Sequence, residues 1–238
     1  MSARADILAK VRRSLARKPP AGGSSQAPDA RLRVHAPGVL PDRARLPHGR
    51  QIALFVAEAE RANATAEQVG SFDDVPRSVA AYLARHNLGT AIRVAPLVQK
   101  DNIPWSKQPL LAADFGPPKG EDGVGVSAAF AGVAETGTLV IASGPESPTR
   151  LNVLPPTHIV VLRASRVVGT YEDAWARLRA GAPTQSFMPR TVNWITGPSR
   201  TADIEQTLLL GAHGPQRLHI LIVNDLQDTV ADGGFGLG

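Results

Sequence analysis

The sequence predicts an α/β protein, a mixed, largely parallel sheet covered by helices, and three observations carry that expectation. His158–Leu162, Val192–Thr196 and Leu218–Asn224 are short, β-branched runs of nearly continuous apolarity. Strands that do not alternate are buried on both faces and need helices above and below the sheet. Segments with apolar residues at helical spacing separate such runs. Finally, 238 residues with 43% hydrophobic and 20% charged side chains suffice for a sizeable core.

The elements follow in order. Ile7, Leu8, Val11 and Leu15 fall on one face after Ser2, a capping residue, so residues 1–17 read as a basic amphipathic helix. Residues 18–47 are rich in Pro, Gly and Ser and read as a linker, unable to bury enough apolar surface to offset chain entropy. The body is expected over 48–227 and a flexible glycine-rich tail over 228–238. Within the body, helices are predicted at 50–63, with Phe55, Ala59 and Ala62 inward, and at 75–87, with Val75, Val79 and Leu83 inward and Gly89 closing it. Two more are expected at 171–180, stopped by Gly181, and at 202–210, stopped by Gly211. Shorter strands are expected at 90–95, 109–112, 124–128 and 137–142.

Charge is distributed unevenly. Eleven of the 26 basic residues but only three of the 21 acidic ones lie in residues 1–50, so that segment carries +8 and the remainder −3. A basic arm on a mildly acidic body offers no phosphate-tracking surface on the fold, and no nucleic-acid partner is expected. No apolar run approaches the roughly 18 residues of a membrane span, and the N-terminus lacks the apolar core of a secretory signal. With no cysteine, the chain has no disulfide, thiol nucleophile or cysteine-held iron–sulfur cluster. No Walker loop, dinucleotide fingerprint, nucleophile elbow or zinc-protease motif occurs, and six scattered histidines support no metal site.

Three polar, glycine-punctuated segments sit at strand ends, where open α/β sheets bind ligands. The first, Ala134-Glu135-Thr136-Gly137-Thr138, opens a strand that ends in Ala142-Ser143-Gly144. Glu135 suits an acid, base or carboxylate nucleophile, and Thr136 and Thr138 suit an oxyanion; a turn with Glu135 paired to an arginine such as Arg150 explains them equally. The second runs Thr196-Gly197-Pro198-Ser199-Arg200-Thr201 into the expected helix at 202–210. Free N–H groups at a helix start with a nearby guanidinium suit a small carboxylate, although Asp203 and Glu205 also cap such a helix unaided. The third, Gly211-Ala212-His213-Gly214-Pro215, places a neutral-pH acid or base, His213, in a turn beside Gly214.

Taken with Leu154-Pro155-Pro156-Thr157-His158-Ile159, these stretches resemble the LUD-domain family, in its lactate-utilization protein C group, over roughly residues 50–225. The resemblance implies a fold like that of ribose-5-phosphate isomerase, the CoA transferases and formyltetrahydrofolate cyclo-ligases. It implies a cytoplasmic role in oxidising L-lactate to pyruvate with iron–sulfur partner proteins, and supplies no assigned catalytic residue. The missing cysteines agree: the redox clusters of such a system belong on partners, leaving no cofactor on this chain. The candidate site is then Glu135 and His213 for proton transfer, with Thr136, Gly137, Thr138, Ser143, Thr196, Gly197, Ser199, Arg200, Thr201 and Gly214 around a small carboxylate. Two alternatives stay open: a free-standing CoA-transferase-like or cyclo-ligase-like enzyme using Glu135, and a non-catalytic scaffold.

Overall fold

Continuous apolarity in the strongest strands demands cover on both faces, and the chain supplies it with helices on one side and a helix plus a second sheet on the other. The structure, a computed structural model, describes residues 3–15, 38–181, 189–202, 208–211 and 213–226. The chain divides into two compact units, 1–38 and 39–238. The first contains helix α1 (Ala3–Leu15), with Asp6 in its first turn and Arg12 and Arg13 in its last, each sign complementing the helix dipole.

In the second unit, residues 39–47 include a short helical turn whose Ala44 is 1% exposed, so the end of the expected linker contributes to a packed core. Helix α2 (His48–Arg61) buries Ile52, Phe55 and Ala59, and leads to strand β1 (Thr65–Val69). Helix α3 (Val75–Arg85) buries Val75, Val79 and Leu83 as the spacing predicts. It stops earlier than Gly89: Asn87 takes the left-handed conformation at φ 52° and turns the chain. Strand β2 (Ala91–Val94), the one-turn helix α4 (Pro96–Gln99), β3 (Ala112–Phe115) and β4 (Val124–Ala128) follow. A hairpin of β5 (Ala131–Val133) and β6 (Thr138–Ala142) precedes β7 (Thr157–Arg163) and the two-residue β8 (Val167–Val168). Helix α5 (Tyr171–Ala180) begins at a capping box in which Thr170 and Asp173 satisfy each other's backbone N–H groups. The remaining strands are β9 (Val192–Ile195), β10 (Arg200–Ala202), β11 (Leu208–Leu210) and β12 (Arg217–Val223).

The helix expected over 202–210 is not formed at either described end. Residues 200–202 and 208–210 are antiparallel strands paired Arg200 with Leu210 and Ala202 with Leu208. Residues 203–207 lie outside the described residues, as do most of the expected linker and the glycine-rich tail.

Six strands form a wholly parallel sheet in the order β1-β12-β7-β4-β2-β3, and a second sheet has the order β8-β5-β6-β9. The parallel sheet separates two cores. Ile159 and Val161 of β7, with Leu221 and Val223 of β12, join Val79 and Leu83 of α3 on one face. Val160, Leu162, Ile220 and Ile222 join Phe55 and Ala59 of α2, and Leu139 and Ile141 of β6, on the other. Val140 points the opposite way, into a third core with Ala174 and Leu178 of α5. The period-two alternation of strand side chains thus links four layers: α3, the parallel sheet, α2 with the second sheet, and α5. Among the described residues, no helix is long and apolar enough to cross a membrane.

Two histidines belong to the sheet's interior. His158 on β7 is fully buried, with Nε2 2.7 Å from the Ser127 hydroxyl, and burial pushes its pKa down to about 3. His219 on β12 stacks on Tyr82 at 4.0 Å and meets the Thr65 hydroxyl at 2.8 Å; burial, then His86 and Arg85, push it down to about 4. Both rings are neutral when folded and bind a proton when unfolded below the ordinary value of 6.5. Their stabilisation is complete above that pH and falls as the pH drops toward 4, at up to about 2.7 kcal/mol per pH unit for the pair. Urea midpoints measured from pH 7 to pH 4 should therefore decline steadily, and His219→Phe should roughly halve the slope; a flat profile contradicts the assignment.

Candidate functional site

The turns carrying Gly137 and Gly197 meet the end of helix α2. Gly137 sits at φ +63°, and a Cβ there would lie 2.1 Å from the backbone nitrogen of Ala59. Gly197 sits at φ +72°, with the Ala62 carbonyl oxygen 2.0 Å from the corresponding point. Only glycine supplies both the left-handed backbone and the missing volume. Around them runs a chain of hydroxyls: Thr138 Oγ1 is 2.7 Å from Thr136 Oγ1 and 2.7 Å from Thr196 Oγ1, and the Tyr171 hydroxyl lies 2.9 Å from both Thr136 and Thr138. Glu135 is buried beside this network, where its carboxylate accepts the Tyr171 N–H at 3.2 Å at the start of α5. A negative group at a helix N-terminus is stabilised by the dipole and by the free N–H. These residues form a joint between β6, β9, α2 and α5. Gly137→Ala and Gly197→Ala should each lower unfolding stability by roughly 2–5 kcal/mol, measured by chemical denaturation. Wild-type stability in both would contradict the packing.

The larger cavity, about 740 Å³, opens at the carboxyl ends of the parallel strands. Chain leaving β2 runs outward to β3, whereas chain leaving β4 runs the other way to β7, so the sheet's switch point lies between β2 and β4. Ligands of open α/β sheets bind at such a point because the diverging loops leave a crevice. Here the crevice is lined by Lys100 and Asp101 beyond β2, Ala128–Phe130 beyond β4, and Ser143–Ser147 beyond β6. Arg163 ends β7, Arg166 follows it, and Arg190 and Thr191 close another side. Ser143 and Thr191 hold each other, with Ser143 N–H donating to Thr191 O and Thr191 N–H donating to Ser143 Oγ, both at 2.9 Å.

The lining is cationic. Among the described lining residues, Lys100, Arg163, Arg166 and Arg190 face Asp101 and Glu146, a formal excess of +2. Lys100 pairs with Glu146 at 2.7 Å, and Arg163 bonds Asp101 at 2.5 Å with Asp225 3.5 Å away. Asp225, buried, accepts the Ser165 N–H at 2.8 Å and the Ser165 hydroxyl at 2.6 Å, fixing the loop between Arg163 and Arg166. Burial pushes the Asp101 carboxyl up despite Arg163. The Arg166 guanidinium is pushed down by burial and by the charges of Arg177 and Arg163. An anion entering this crevice relieves the crowding of positive charge, and guanidinium forks are shaped to take a carboxylate.

A second cavity of about 450 Å³ lies at the opposite, amino-terminal edge. It gathers five of the residues read from the sequence: Thr196, Gly197, Ser199, His213 and Gly214. The anion site expected from a helix start at 196–201 is not built. Ser199 N–H already donates to Pro215 O at 2.8 Å, and the chain continues into β10, not into a helix. Arg200, exposed, lines neither cavity, nor do Glu135, Thr136, Gly137 and Thr138, while Thr201 pairs in β10 with Leu209. Ser143 alone of the sequence-derived residues lines the larger cavity. Sequence reasoning missed Lys100, Arg163, Arg166 and Arg190, which share no motif; the available signal was Ser143-Gly144 at a strand end.

Residues 122–223, which include β4 to β12 and most of this crevice, match the family model of the LUD domain. Over this stretch the chain is similar to that domain. A lactate utilization protein C from Geobacillus thermodenitrificans is 35% identical over 102 residues, 43% of this chain and 42% of that one. The Bacillus subtilis protein of the same name is 33% identical over 102 residues, with the same coverage. An uncharacterized protein of Neisseria meningitidis is 40% identical over 99 residues, 42% of this chain and 41% of its own. The matched stretch is thus about two fifths of the length of each of these relatives. The crystal structure of a DUF162 family protein from Deinococcus radiodurans has the same fold, with a TM-score of 0.53 at 19% identity over 75% of this chain and 99% of that one. The residues similar to the LUD domain include β4, β7 and β12 at the crevice, while α2, α3, β2 and β3 precede them.

Proposed function

We propose that this chain serves L-lactate utilization in the cytoplasm as a component without redox centres, acting with iron–sulfur partner proteins, and that the carboxyl-edge crevice holds a small carboxylate. The observation that carries the reading is the excess of guanidinium and ammonium groups at the sheet's switch point. Lactate and pyruvate each offer one planar carboxylate beside a second oxygen, which guanidinium groups such as those of Arg166 and Arg190 are suited to bind. The likeness to relatives named lactate utilization protein C supports the pathway. The chain has no cysteine to ligate a cluster, so the two electrons released on forming pyruvate have to leave through a partner.

Glu135 suits a covalent role poorly. Its buried carboxylate is engaged with the Tyr171 backbone and lines neither cavity.

Arg190 is exposed and makes the cleanest probe. In a strain lacking the gene, the wild-type chain should restore growth on L-lactate, while Arg166→Ala with Arg190→Ala should not, with both proteins folded. Calorimetry should show lactate or pyruvate binding weakened by about tenfold to a hundredfold, the loss of charge-assisted hydrogen bonds. Full growth and unchanged binding would overturn the assignment.

A further inference from the structure

The amino-edge cavity contains buried polar groups that the protein does not satisfy. Both amide atoms of Asn152, 3% exposed, lack a hydrogen-bond partner, as do Nδ1 of His158, 0% exposed, and Nδ2 of Asn193. All three side chains line this one cavity. Orphaned buried polar atoms are scarce in folded proteins, because each costs its full desolvation. Three neighbouring residues with that cost at the base of one cavity mark a place where another molecule completes the hydrogen bonds.

The lining restricts what that molecule is. Among the described residues around the cavity there is no Asp, Glu, Lys or Arg, and the fully buried His158 is neutral at neutral pH. A charged group would be desolvated there without a counter-charge, at high cost. Asn152 offers an acceptor beside a donor, and exchanging its amide O and N leaves that pair intact. The complement is a ligand edge with a donor beside an acceptor. Ile195 gives apolar lining, the Trp194 indole turns away against Tyr171 and Trp175 of α5, and the more exposed Thr196, Ser199 and His213 stand at the rim.

We infer that this cavity is a second ligand site, separate from the carboxylate crevice, and that it takes an uncharged planar molecule with the donor–acceptor edge of a carboxamide or a purine. Asn152 reads that edge, and Asn193 and His158 take the remaining polar atoms. The site is independent of the lactate reading, since it shares no lining residue with the crevice.

The test uses the full chain with nicotinamide and adenine as probes of the two sources, at millimolar concentrations. Expected is a saturable shift of the Asn193 side-chain amide and His158 ring resonances with one of them, and a loss of about tenfold or more in affinity for Asn152→Leu. Replacing an unsatisfied amide with an apolar group of similar size is expected to leave the chain folded. Should that variant unfold, Asn193→Leu carries the same test at a second unsatisfied amide of the cavity. No saturable shift with either probe, as when ordered water alone fills the cavity, overturns the inference, as does undiminished binding in the folded variants.

Discussion

The close approach of two glycine turns to the end of helix α2 is the constraint on which the architecture depends. The parallel sheet presents apolar side chains on both faces, and on one of them α2 is too narrow to cover the width. The second sheet completes the cover only if its turns come within backbone contact of Ala59 and Ala62. Gly137 and Gly197 permit that contact, and the Thr136, Thr138, Thr196 and Tyr171 hydroxyls satisfy one another in the space that remains. The motifs that read most like chemistry in the sequence therefore serve first as a joint between layers.

Closing one face this way leaves the two edges of the parallel sheet as the open surfaces, and they differ in kind. The carboxyl edge is rich in guanidinium groups restrained by Asp101 and Asp225. Among the described residues the amino-edge cavity has no Asp, Glu, Lys or Arg and is lined with unsatisfied amides. The sheet thus separates an anion-seeking crevice from a neutral one, with β7 reaching both: Arg163 at its end and His158 near its start.

The legible parts of the fold were those where burial leaves a one-dimensional mark. Strands β7 and β12 announce themselves because both faces are buried, and α2 and α3 because one face is. Strand β1 was hidden by Glu67, which accepts a hydrogen bond from Ser78 of α3, and by the exposed Gln68, and β5 and β8 are too short for any period to register. Leu208–Leu210 before a glycine look like a helix end. In the chain, Gly211 at φ +82° and the Ser199–Gly211 hydrogen bond turn them into a hairpin strand instead. The site was less legible than the fold: the crevice draws its cations from positions 100, 163, 166 and 190, brought together only by the parallel topology.

The most direct test of the account is which edge of the sheet a small carboxylate chooses. Guanidinium resonances of Arg163 and Arg166 and the side-chain amide resonance of Asn193 can be followed in one titration of the full chain with L-lactate. The account predicts a saturable shift of the arginine signals with Asn193 unmoved; a shift of Asn193 with the arginines unmoved would contradict it.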